Sequence, residues 1–261
     1  MTCINCQQEV SGKFCSNCGQ RSTVKRITFR EGWNDFWSRV YGFDGMFPRT
    51  LRDLTIRPGK VAVQYIAGNR VQYYGPVGYF FLMLTLYILV TSALEIDMAE
   101  FSKAISPMGE IKDGTGQDQF NKGLMGWIQN NQRLLSFLFI PFYLFGAALF
   151  FRKSKLNLLE HSVLIFYTQG HYQWLSLVFI VIFKFTGEFV NIFVFAGSSA
   201  LYYGLACAQL YTQYKKGWSV FRGILVHLFF WVILLFTTMV IMFIVLMLNP
   251  EMLEMMRPSN N

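Results

Sequence analysis

The sequence predicts an all-α integral membrane protein with five transmembrane helices, N-terminus inside and C-terminus outside. Three observations lead there. Of the 261 residues, 53% are hydrophobic and only 15% are charged, where a soluble domain carries about 25% charge. The mean hydropathy of +0.34 agrees. Charge-free runs fall near 77–94, 134–151, 162–183, 189–214 and 223–248, each close to the ~20 residues a helix needs to cross the hydrocarbon core. These runs are too long for barrel strands, which alternate in polarity over about 10 residues. An ordinary soluble enzyme and a disordered chain are both excluded.

Orientation follows from lysine and arginine in the flanks. Residues 1–76 hold eleven, from Lys13 to Arg70. The long loop 95–133 has Lys103, Lys112, Lys122 and Arg133 against six carboxylates, from Glu95 to Asp118. The next connection is basic (Arg152, Lys153, Lys155), the one after has Lys184, the fourth has Lys215, Lys216 and Arg222, and the tail 250–261 has Arg257 alone. The basic flanks alternate with sparse or acidic ones, as five crossings from a cytoplasmic N-terminus require. The net charge of +8 is therefore mostly a topology signal. Its nearest anionic partner is membrane lipid and no nucleic acid is expected.

Residues 1–20 read as a zinc ribbon. Cys3, Cys6, Cys15 and Cys18 form two C-x-x-C pairs, and two such pairs supply the four thiolates of a tetrahedral site. One structural zinc ion is the expected cofactor, since four soft ligands leave no open position. Two disulfides are the alternative, disfavoured by a reducing cytoplasm. Gly19 permits the tight turn behind the last ligand. Cys207, inside the fourth span, reads as a buried small apolar residue.

Residues 21–75 read as a linker followed by amphipathic, interfacial helices. Ile27, Phe29, Trp33, Phe36, Trp37, Val40 and Tyr41 recur at helical spacing. This aromatic face fits either the headgroup region or another helix. Pro48 can open a short helix carrying Leu51, Leu54 and Ile56. Arg57-Pro58-Gly59-Lys60 forms a turn, because Pro58 ends one helix and presets the next. Val61, Val63, Tyr65 and Ile66 follow, with Gly68 as C-cap. Arg57, Lys60, Arg70, Trp33 and Trp37 are the candidate headgroup contacts.

The double C-x-x-C head, the aromatic stretch, the Arg57–Lys60 turn and the approach Asn69-Arg70-Val71-Gln72-Tyr73-Tyr74-Gly75-Pro76 together resemble a bacterial family of multi-span membrane proteins, a domain of unknown function. The resemblance spans most of the chain. Its specific part is the ribbon plus residues 47–80, and the later spans agree in hydropathy only. It implies a bacterial inner-membrane protein and no catalytic residue.

The bundle, 76–249, carries polar groups that are costly in lipid. The third span opens with Glu160-His161, and its middle holds Gln169, Gly170, His171 and Gln173. Such side chains face the bundle interior, a water-filled cavity or a helix break at Gly170. Interhelical hydrogen bonding is their commoner use; a transport site is the sharper one. Glu160, His161 and His227, the last near the start of the fifth span, form a weaker constellation for a metal or an enzyme site. Ala200, Gly204 and Ala208, with Gly197 nearby, form a small-residue stripe that fits a helix contact within one chain or in a homodimer.

With no catalytic set in view, the leading expectation is an inner-membrane adaptor or scaffold. Its zinc head would contact a cytoplasmic protein partner or the membrane surface. The alternative is a transporter or channel-like protein for a lipid or small solute, using the third span.

Overall fold

A computed structural model describes residues 2–3, 5–18, 22, 46–97, 100–101, 114, 116–187 and 192–248. The aromatic helix with Trp33 and Trp37, Gly19 and the tail lie outside these residues. The chain divides into two compact units, Met1–Gly45 and Met46–Asn261.

The first unit, where described, is a short looped head held by an antiparallel bridge between Thr2 and Glu9. The second, in its described part, consists of helices and their connections. Its helices are α1 (Met46–Ile56), α2 (Pro58–Ile66), α3 (Pro76–Ala93), α4 (Gly116–Asn130), α5 (Gln132–Leu138), α6 (Ile140–Phe150), α7 (Leu158–Thr186), α8 (Ile192–Leu210) and α9 (Lys216–Leu248). Among the described residues, four stretches are long and apolar enough to cross a membrane: Pro76–Ala93, Gln132–Phe150, Phe193–Leu210 and Lys216–Thr237.

Local chemistry sets the boundaries. Pro58 and Pro76 stand in the first turns of α2 and α3, where a missing N–H costs nothing. After α2, Gly68 N donates to Tyr65 O and Asn69 N to Gln64 O, with Gly68 at φ 102°. This is the Schellman pattern, in which glycine takes the left-handed position. Pro141 has no N–H to continue the ladder, so it lapses between α5 and α6, while Phe139 keeps helical dihedrals (φ −76°, ψ −18°) and the path continues. A reciprocal capping box opens α7: Glu160 N donates to Asn157 Oδ1 (2.9 Å) and Asn157 N to Glu160 Oε2 (2.8 Å).

The contacts give the helix directions. Phe80 meets Phe166, and Tyr87 packs with Leu177 and Ile180, so α3 and α7 run parallel. Tyr211 reaches His161 and Phe195 reaches Phe179, so α8 runs against α7. Ser219 meets Tyr211 and His227 meets Ser199, so α9 runs against α8. Arg222 caps Phe150 and Phe230 packs on Phe139, so α6 runs against α9. The long helices thus alternate in direction.

At 29 residues α7 is about 43 Å long, and it is unbroken through Gly170. The break considered at that glycine does not occur. Its role is close approach: a Cβ there would lie 2.8 Å from Phe80 Cα. The polar stretch of α7 therefore sits beside the first turn of α3, where Tyr79 and Phe80 are, and not at the half-height of that neighbour. The stripe on α8 is likewise used within the chain. A Cβ on Gly223 would lie 2.7 Å from Gly204 Cα, whereas one on Gly197 would meet nothing within 4 Å. Ala200 is buried and Ala208 half-buried.

The α1–α2 hairpin packs onto α7 and α8 rather than standing apart from them. Tyr202 Oη donates to Leu54 O (2.9 Å) at the end of α1. Gly59 N and Lys60 N both donate to Gln209 Oε1 (3.0 and 3.2 Å) at the start of α2. Pro58, Gly59, Val61 and Ala62 are buried.

Candidate metal centre and polar interior

The head brings its four cysteines together. Cys3 N donates to Gln8 O (2.8 Å) and Gln7 N to Cys3 O (2.9 Å), with Gln7 left-handed at φ 57°. This tight turn swings Cys6 back towards Cys3. The four Sγ atoms lie within 4.8 Å of one another. Cys3 to Cys18 and Cys6 to Cys15 are each 3.5 Å. A tetrahedron with metal–sulfur bonds of about 2.3 Å has edges of about 3.8 Å, so the sulfurs fit one ion. A disulfide would need about 2.05 Å, and none of the four is in one.

The thiols are also primed. The Gln8 backbone amide, followed by Cys18, pulls the Cys6 thiol down to about 6. Backbone hydrogen bonding at Cys6 is the main influence lowering Cys3. Thiolate is the ligand form, so both shifts favour metal binding. The apolar support is slight: Cys3, Val10 and Cys15, with Cys6 against them.

In the second unit each histidine is held between a tyrosine and a smaller hydroxyl. His171 Nδ1 pairs with Tyr79 Oη (2.8 Å) and its Nε2 with Thr55 Oγ1 (3.1 Å). His227 Nδ1 pairs with Tyr143 Oη (2.9 Å) and its Nε2 with Ser199 Oγ (2.8 Å). His161 Nδ1 pairs with Tyr211 Oη (2.7 Å) and its Nε2 with Ser154 Oγ (3.3 Å). Trp231 Nε1 also donates to His227 Nε2 (3.0 Å). An indole N–H can only donate, which assigns the His227 proton to Nδ1.

The constellation of Glu160, His161 and His227 does not assemble. Glu160 is spent in the capping box. His161 lies at Tyr211 and His227 at Ser199, levels about 18 Å apart along α8. Among the described residues, only the four cysteines form a group of three or more His, Cys, Asp or Glu able to hold a metal.

Gln169 and Gln173 line a cavity of about 70 Å³ with Tyr143, Ser136, Phe80 and Phe230. That is room for roughly two waters.

The candidate headgroup residues have diverging fates. Lys60 is exposed. Arg70 is exposed, 5.7 Å over the Tyr65 ring. Arg57 is committed to Asp53 Oδ2 at 2.8 Å. Asp53 was not singled out in the sequence and is the centre of the hairpin. Its side chain is 2% exposed and receives Arg52 (2.9 Å), Arg57 and Tyr73 Oη (2.9 Å). Its i,i+4 spacing to Arg57 was the available signal. Burial pushes its carboxyl up, but hydrogen bonds from Arg57, Tyr73 and Arg52 outweigh this and hold it below the usual 3.8.

Asp53→Ala is expected to cost about 2 kcal/mol at neutral pH. The buried Tyr73 hydroxyl loses its acceptor, while the partly exposed arginines rehydrate and add little. A depressed carboxylate stabilises fully above its unfolded pKa, and this is lost as pH falls through the folded value. The gap between thermal melts of both proteins in detergent should therefore narrow as pH falls below 3.8, while the part carried by the Tyr73 hydrogen bond persists, since a protonated carboxyl still accepts. A constant gap down to pH 2 would show that the carboxylate charge is irrelevant.

A family model described as a protein of unknown function (DUF3667) matches residues 44–88. That segment contains α1, α2, the approach to α3 and most of α3, and with them Asp53, Arg57, Gly59 and Tyr73. No curated protein and no solved structure matches the chain.

Proposed function

We propose that this chain is a scaffold or adaptor of the bacterial inner membrane, with five crossings, a cytoplasmic N-terminus and an external C-terminus. α7 is the crossing beyond the four apolar stretches. It is long enough, and its polar side chains turn inward to partners on α1, α3 and α8. The head holds one structural zinc ion and engages a cytoplasmic protein or the membrane surface.

The reading rests on the cysteine cluster. All four ligands come from the protein within 4.8 Å, so the metal has no open position for substrate or water. A closed centre with almost no core of its own serves to fix a small contact surface. A transporter or channel-like function, the second reading, would draw on the cavity at Gln169 and Gln173. Its ~70 Å³ is too small for a lipid or a solute beyond water-sized, and both ring nitrogens of His171 are already bonded.

The test is extraction into lipid nanodiscs of the parent chain beside a variant with Cys3, Cys6, Cys15 and Cys18 all serine. Co-purifying proteins are identified by mass spectrometry. We expect a protein partner with the parent that is missing from the variant, while the bundle melts at the same temperature. A partner recovered equally with both would refute a docking role for the head.

A further inference from the structure

We propose that the end of the bundle formed by residues 151–157 and 211–218 is a binding ledge for anionic phospholipid headgroups. This goes beyond the scaffold reading and does not depend on the head. The two loops are fastened together. Lys153 N donates to Tyr214 Oη (3.2 Å), and Arg222 Nη1 donates to Phe150 O (3.0 Å). The fastening brings Arg152, Lys153 and Lys155 of one loop to the same rim as Lys215 and Lys216 of the other, and all five are exposed.

Among the described residues, the ion pairs involve Arg52, Arg57 and Lys122; none involves this rim. The Glu160 carboxylate borders the ledge on Asn157 N (2.8 Å) but pairs with none of the five; like charges at this rim repel one another, and an anion relieves that repulsion. Arg222 forms the inner wall. Its guanidinium lies 4.3 Å from the Tyr214 ring centroid and 5.6 Å from that of Trp218. One of its donors goes to Phe150 O, and a guanidinium offers five.

What selects a lipid over a free anion is the surface leading away from the ledge. Trp218, Phe221, Leu228, Val232 and Leu235 are all exposed along α9, and their spacing places them on one face. Trp218 and Phe221 stack at 5.2 Å where an amphipathic indole suits the headgroup level. Phosphate on the rim and acyl chains along this track match a phospholipid.

Native mass spectrometry of the full chain in detergent, titrated with phosphatidylglycerol or phosphatidylethanolamine, tests this. The ledge variant is Lys153→Gln with Lys215→Gln and Lys216→Gln. The control removes equal charge elsewhere, through Lys103→Gln, Lys112→Gln and Arg133→Gln. Each basic residue at a charged surface is worth about fivefold. Phosphatidylglycerol affinity should therefore fall about 100-fold in the ledge variant, stay within about twofold in the control, and exceed that for phosphatidylethanolamine in the parent. Equal losses in both variants would make this a net-charge effect and overturn the proposal. So would an unchanged ledge variant, or displacement of the lipid by millimolar inorganic phosphate.

Discussion

A chain with serine at Cys3, Cys6, Cys15 and Cys18 is expected to bind no zinc, against an expected one ion per chain in the parent, and its head is expected to become as protease-sensitive as an unfolded segment. The effect is large because the head has so little else. Among the described residues its buried apolar ones are Cys3, Val10 and Cys15, with Cys6 against them, and a domain of this size cannot fold on such a core. Structural zinc contributes about 10–16 kcal/mol in comparable small domains at neutral pH, enough to make the head folded with metal and unfolded without it. The bundle forms a separate compact unit, so its melting temperature stays unchanged. Metal content by atomic emission and limited proteolysis of both proteins check this. A parent protein free of metal, or a variant head as resistant as the parent's, would defeat it.

The second large effect is expected at Gly59. A Cβ there would lie 2.2 Å from Ala206 O and 2.5 Å from Gln209 Cβ. Neither the backbone carbonyl nor a Cβ can swing aside, so Gly59→Ala must push α2 off α8. The shift also pulls Gly59 N and Lys60 N away from Gln209 Oε1. Overpacking costs roughly 1–3 kcal/mol, and each lost hydrogen bond about 1 kcal/mol. We expect about 4 kcal/mol, read as a drop in the detergent melting temperature. Gly217→Ala, where nothing stands within 4 Å, is the control and should melt like the parent. A Gly59→Ala protein that melts like the control would mean the hairpin does not pack as described.

The helical runs were legible because lipid forces apolar residues into unbroken stretches, and the ligands because thiolate spacing is a chemical requirement. The interior was less so. Gly170 has the same letter whether a helix breaks or a neighbour presses close; only the backbone of Phe80 decides. Gln169, His171 and Gln173 announced an inward-facing surface, but the partners of the histidines did not show. Tyr79 stands 92 positions from His171, and Tyr143 stands 84 from His227. The pair Asp53–Arg57 was visible at helical spacing, whereas the Tyr73 hydroxyl that completes it arrives from another segment. Trp33 and Trp37 lie outside the described residues, so the aromatic helix remains a sequence-level expectation.

The polar clasp on the α1–α2 hairpin also bears on biogenesis. Leu54 O and Gly59 N find their partners in Tyr202 and Gln209, 148 and 150 positions later. At about 5–20 residues per second, the ribosome takes on the order of 10–30 s to deliver them. Throughout that interval the hairpin has left the exit tunnel with its docking side chains unmade. It can reach its final seat only after the fourth long helix has emerged, so the N-terminal part of this unit is among the last to be assembled.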